Sequence, residues 1–419
     1  MNNGNIFLSS GLWSLFFAAI ILYGFRKKIV NIFDPLSVFL IMRVSTLLAA
    51  TLIIALTLTI NGASILYFIS VFLFVFVFYF SSKNIKYERN HVSDKQINFL
   101  NSIAFVFLFF KIVIIIASTG SLPIFSPGGS DASIQFNESN KISTTLLFGL
   151  GTGDLFIFAF TLPFVNKKIL RNSVYFAIFI SVLMIISGGK KSSLFYVGMA
   201  IFFADGFRSL ISQNKKLYFF SKKNIFLLIG LSFVWASWVF LNTSIISDTY
   251  DLDLDMLLFI IDFTFSQWMT PYFIFNSPEF FNFINGYKVN ELTYFFHSIL
   301  KPLGYPAFDA SIGPALHEYQ TGELTGNGIN PSFILEGFVI FGAAVPFYSM
   351  IVALFMAKAR NKLLSIKKIE YRVIFISIYM NSLYALATDA LSFTKALWAS
   401  LIIIAFVVIP VRFLFFKRL

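Results

Sequence analysis

The feature that most limits what this chain can fold into is a series of long uncharged apolar runs. Residues 63–80, ASILYFISVFLFVFVFYF, carry no charge over eighteen positions. Barrel strands need only about 9–11 residues to cross a bilayer, whereas helices need about 20. Backbone groups in lipid must be satisfied internally, so runs of this length are expected as helices. Composition agrees: 58% of the 419 residues are hydrophobic and 12% charged, against about a quarter charged in soluble domains. The expected fold class is all-α, a polytopic integral membrane protein.

Eleven spans are read, at about 6–25, 36–59, 63–80, 97–117, 144–165, 173–187, 193–207, 224–246, 331–357, 373–388 and 396–411. The loops Arg26–Lys28, Lys83–Lys95, Lys167–Arg171, Arg208–Lys223, Lys358–Arg372 and Arg412–Arg418 then share one side and hold 24 of the 32 basic residues. By the positive-inside rule that side is cytoplasmic, with the N-terminus periplasmic and the C-terminus cytoplasmic in a bacterial inner membrane. The net charge of +12 thus reports membrane topology, and a nucleic-acid partner is not expected. The opening MNNGN has no basic segment before its apolar run, so the first helix reads as retained.

The run Met256–Phe275 is set aside as a span because counting it would move the last basic loops outside. Asp262, Ser266 and Thr270 recur every fourth residue, the polar face of an amphipathic helix at the interface. One integrated membrane domain results: residues 1–246 with eight spans, 247–330 as a large periplasmic loop with that amphipathic helix, and 331–419 with three more spans. A loop this long is usually functional.

The loop ends at Gly326–Gly342, GNGINPSFILEGFVIFG. Asn330 suits an N-cap and Pro331 a first helical residue, which places Glu336 about one and a half turns inside an apolar helix. An ionisable group at that depth costs about 2.5–3.5 kcal/mol on insertion scales and marks a functional site, or else pairs with a neighbouring helix. Between spans, Ser187–Ser193 reads SGGKKSS. The fifteen residues of 173–187 reach about 22 Å, so the tip should sink to headgroup depth. There Lys190 and Lys191, with free backbone N–H groups, form an anion site or greet any anionic lipid. Met184 and the Lys190–Lys191 pair exclude a Walker A loop. The external loop holds His297, Lys301, His317, Glu318 and Glu323; His317 or Glu336 suits a general base. No HExxH spacing occurs, and the Asp248–Asp255 run has Met256 where an EF-hand needs Gly, so neither metal nor cofactor is expected. Asp389 and Lys395 mark the external turn between the last spans and can join the site. Asp154, mid-span, is expected to pair with Lys111 or Arg43; Arg43, nearer the cytoplasmic end, can instead snorkel.

The segment Pro331-Ser332-Phe333, followed by Glu336 and Phe341-Gly342, resembles the bacterial O-antigen polymerases, the oligosaccharide repeat-unit polymerases, with their P-S/T-x-x-x-E-x-x-x-x-F-G pattern entering a late span. Asp34-Pro35 after the first span, the Gly188–Lys191 tip and Lys301-Pro302 are similar to other family elements, with Lys where the family usually has Arg. The resemblance implies a GT-C-like glycosyltransferase using no nucleotide sugar, metal or cofactor. Its donor and acceptor would be undecaprenyl-diphosphate-linked oligosaccharides at the periplasmic face. Lys190, Lys191 and Lys301 would take up diphosphate charge, with His297, Asn330, Asp389 and Lys395 alongside. Membrane lipids, a chain-length regulator and a flippase are the implied partners. Two alternatives stay open: an O-antigen ligase with the same donor, and a polytopic lipid-linked-oligosaccharide transporter.

Overall fold

The computed structural model describes residues 3–57, 62–86, 92–119, 150–186, 193–212, 230, 272–274, 277–284, 312–322, 332–388 and 390–416. Among these the ordered elements are all helical, as the apolar runs require. The chain is a helical membrane protein. Among the described residues, six stretches are long and apolar enough to cross a bilayer: Pro35–Leu56, Gly62–Ser81, Asp94–Ala117, Lys168–Ile185, Phe333–Leu364 and Ala396–Leu414.

Helix α1 covers Asn3–Phe25. Helix α2 begins at Pro35, widens into a π segment at Leu40–Ser45 and ends at Thr57. Then follow α3 (Gly62–Ser81), α4 (Asp94–Thr119), α5 (Gly153–Thr161, with a 3-10 turn Leu162–Phe164), α6 (Lys168–Ile186) and α7 (Ser193–Ser212). The short α8 (Pro278–Ile284) and α9 (Ile312–Thr321) lie in the stretch read as the large loop. Helices α10 (Phe333–Phe341), α11 (Val345–Leu364), α12 (Ile369–Thr388) and α13 (Ala390–Phe416, with a π segment at Ile404–Val408) close the chain.

Two hydrophobic cores organise these helices. One joins α1, α2, α3, α10 and α11 with buried residues of α8 and α9, around the rings of Phe39, Phe74 and Phe333. The other joins α4, α5, α6, α7, α12 and α13, around Phe156, Phe203 and Phe207. The connection between α1 and α2 touches both. Asp34 caps α2, accepting from Leu36 N at 3.0 Å, and Pro35 supplies the pre-set first turn. Asn31 donates to the Phe202 carbonyl on α7 at 2.9 Å. Arg360 on α11 donates to the Lys28 carbonyl and lies 3.4 Å from Asp34 Oδ2. Burial and the neighbouring Arg360 charge hold the Lys28 ammonium below the ordinary lysine range. Ile85 N donates to the Lys27 carbonyl, Lys83 N to Asn361 and Gln96 to Glu370. The basic loops before α2, after α3 and before α12 therefore gather at one end.

Three expectations are corrected. Residues 331–357 do not make one straight span. The rings of Phe333 and Tyr348 lie 6.3 Å apart, whereas fifteen positions along a straight helix separate them by about 22 Å. The chain folds back at Gly342 (φ 54°, ψ −127°) and the 3-10 turn Gly342–Ala344. The 173–187 span is longer than read, running from Lys168 to Ile186, because the polar residues Lys168, Arg171 and Asn172 make its first turn instead of a loop. Its 19 residues reach about 28 Å, close to the thickness of the hydrocarbon core. Finally, α7 continues past 207 to Ser212, with Arg208 paired to Asp205 across its last turns.

Candidate functional site

Helix α10 starts later than Asn330–Pro331 suggested. Ser332 precedes it at φ 72°, the one non-glycine residue with positive φ among those described. A left-handed residue cannot continue a right-handed helix, so α10 begins at Phe333 and Glu336 falls in its first turn. The carboxylate then sits at the positive end of the helix, a favourable place for an anion. Glu336 is 1% exposed.

Depth follows from the packing of α10 against α3. Phe333 meets Phe74, and Phe338 meets Tyr67 further toward the Gly62 end. Helix α10 therefore rises from the interior toward that end, and α11 returns beside α3 until Asn361 bonds Ser81. The start of α10 is thus a re-entrant half-helix tip. Beside it a small cavity is lined by Arg43, Leu47, Val71, Tyr272, Ser332 and Phe333. Val71 is the tenth of the 20 residues of α3, so the cavity lies about 15 Å from either end of that helix.

Arg43 is 2% exposed and faces this cavity, so of its two expected roles neither snorkelling nor a pair with Asp154 is the one found. It belongs to the π segment of α2, a distortion that often accompanies functional sites. Tyr272 donates to Ser332 Oγ at 3.1 Å and lies within electrostatic reach of Arg43. Tyr348, at the start of α11, lies within electrostatic reach of Glu336. Phe39 and Phe333 are in ring contact, and both α2 and α10 rise from there. Arg43 and Glu336, each about one turn further on, share a level. The site thus combines a buried guanidinium, a buried carboxylate, a half-helix N-terminus and two tyrosines.

His317 lies on α9, half-buried, beside Leu316, which is part of the same core as Phe333. Its helix packs on α8 through Tyr319, whose ring meets Phe280 and Phe283. Lys190, Lys191, His297, Lys301, Asn330 and Asp389 lie outside the described residues, as does the side chain of Lys395 on α13. The greater part of the Met256–Phe275 amphipathic helix does too.

A second buried charge centre stands apart, in the other core. Lys111 on α4 pairs with Asp154 Oδ1, and Ser181 on α6 donates to Asp154 Oδ2 at 2.8 Å. Of the two partners expected for Asp154, Lys111 is the one found. Asp154 is in the first turn of α5, which follows a break at Gly151 (φ 42°).

The sequence does not single out Tyr272 or Tyr348, and it marks Ser332 only within the polymerase-like pattern. Phe-Gly at 341–342 was the only signal that the helix turns back.

No family model, curated protein or solved structure matches this chain.

Proposed function

We propose that this chain is a membrane glycosyltransferase that joins undecaprenyl-diphosphate-linked oligosaccharide repeats, an O-antigen or surface-polysaccharide polymerase. It would work at the periplasmic face of the bacterial inner membrane through eleven spans in a GT-C-like arrangement. One observation carries the reading. The residues that resemble the polymerase pattern coincide with one mechanical unit, the re-entrant hairpin: Ser332 stands before it, Glu336 opens it, and Gly342 turns it.

In the reaction, Glu336 takes the proton from an acceptor sugar hydroxyl, with His317 as the alternative base. The hydroxyl oxygen attacks the anomeric carbon of the donor glycan, and the bond from that carbon to the diphosphate oxygen breaks. The departing undecaprenyl diphosphate carries negative charge, which Arg43, the α10 N-terminus and Lys190, Lys191 and Lys301 take up. The test is polymer length in a deletion strain complemented with variants. Glu336→Gln should lower polymerisation by about 10²–10⁴-fold, leaving a lipopolysaccharide ladder of one repeat, while Glu336→Asp keeps partial activity. A full-length ladder from Glu336→Gln rejects Glu336 as the base.

A transporter is the second reading, favoured by the depth of Arg43 and by the helix interrupted at Gly342. Broken helices around a midplane site are common in secondary transporters. Detergent-solubilised protein separates the two. It has no compartments to transport between, so extension of lipid-linked repeats in micelles supports the enzyme, and none supports transport.

A further inference from the structure

We infer that the end of the bundle where α4, α12 and α13 converge binds the phosphodiester headgroup of an anionic phospholipid. Its centre is Tyr371, in the first turn of α12. The Arg412 guanidinium, from α13, lies 5.4 Å from the ring centroid, and the Lys368 ammonium, from the preceding loop, lies 6.0 Å from it. The fold thus gathers two cations from separate elements on one ring. Each gains from the ring quadrupole, but the two repel each other. An anion seated between them relieves that repulsion.

The surrounding groups leave this place positive. Among the described residues, Lys367, Lys368, Lys95 and Arg412 are exposed here, against one exposed carboxylate, Asp94. Glu370 is turned inward, 5% exposed, and accepts from Gln96 at 2.7 Å. Arg372 is also buried and donates to the Ile366 carbonyl at 2.6 Å, holding the loop that carries Lys367 and Lys368. The third wall is α4, whose Phe99 ring lies 6.4 Å from Tyr371.

The occupant must be amphipathic, because apolar surface adjoins the cations. Phe375 packs against Tyr371 one turn along α12, and Ile409, Phe413 and Leu414 flank Arg412 with their side chains exposed. A free phosphate uses the cations alone; a phospholipid uses both surfaces. Two further cation–ring pairs, Arg26 on Tyr23 at 3.9 Å and Lys28 on Tyr79 at 4.6 Å, lie at the same end. Aromatic and basic residues together are the mark of a membrane–water boundary, the depth of a headgroup.

The experiment compares the whole chain with Lys368→Gln, Arg412→Gln and the double variant. Each is reconstituted in nanodiscs of phosphatidylcholine alone or of an equal mixture with phosphatidylglycerol. Retained phosphatidylglycerol is counted by native mass spectrometry, and thermal unfolding is followed in both discs. Each single change should lower retention about fivefold and the double change about thirtyfold, with thermal midpoints in phosphatidylcholine discs unchanged. Arg412→Lys, which keeps the charge, should retain most of the lipid. Equal retention by the double variant and the parent overturns the proposal. So does equal thermal protection of the parent by inorganic phosphate in phosphatidylcholine discs. Because none of these readouts uses sugar transfer, failure here leaves the polymerase reading untouched.

Discussion

Lys111 and Asp154 illustrate how a single residue pair can dominate the local energetics. Both are buried, and Ser181 satisfies the second carboxylate oxygen. A buried pair does little for net stability compared with well-packed apolar residues, but breaking one half leaves a naked charge. Lys111→Met should therefore destabilise the protein by about 3–5 kcal/mol, while adding Asp154→Leu should recover most of that loss. Thermal unfolding in detergent of the single and double variants reads this directly. Equal damage from both would mean that the pair has a role beyond neutralising itself. Glu336 differs in kind: it is buried in the first turn of a half-helix, within electrostatic reach of Tyr348, so its substitution should show in product length before it shows in stability.

At the scale of the element, the α10–α11 hairpin depends on two glycines for different reasons. Gly342 has the backbone angles of the first central residue of a type II′ turn, where glycine is favoured. Gly342→Ala should destabilise by about 1–3 kcal/mol through backbone strain alone. Gly337 allows close approach. A β-carbon there would run into the Tyr348 ring. The Tyr348 ring is itself packed between Phe333 and Phe341 and has little room to yield. Gly337→Leu should open the hairpin. The chain has no cysteine, so a pair introduced at Gly337 and Tyr348 can be tested for disulfide formation without background. Efficient crosslinking supports the fold-back; a straight helix puts the two positions about 16 Å apart and forbids it.

For the whole molecule, the connection 26–34 is the joint between the two cores. Asp34 performs two tasks, capping α2 and facing Arg360. Asp34→Ala removes the cap, about 0.5–2 kcal/mol, and also leaves Arg360 buried without its carboxylate, about 3–5 kcal/mol more. Pairing it with Arg360→Leu should restore the second part. Global unfolding of the three proteins checks the ordering, and indistinguishable midpoints would place the joint elsewhere.

Much of this organisation follows from the residues alone. Apolar runs far longer than a strand leave helices as the only membrane-compatible backbone, and this sets the fold class. Mid-span charges cannot stay unpaired, so a partner for Asp154 was required by energy alone. Two points lay beyond the sequence. Whether Arg43 snorkels or turns inward depends on which neighbours cover it, because a guanidinium on a long stem can satisfy itself either way. Whether Phe-Gly at 341–342 bends a helix or merely sits in one depends on what waits on the other side of the turn. Here Tyr348 and Phe74 reward the fold-back, and only the packed bundle brings them there.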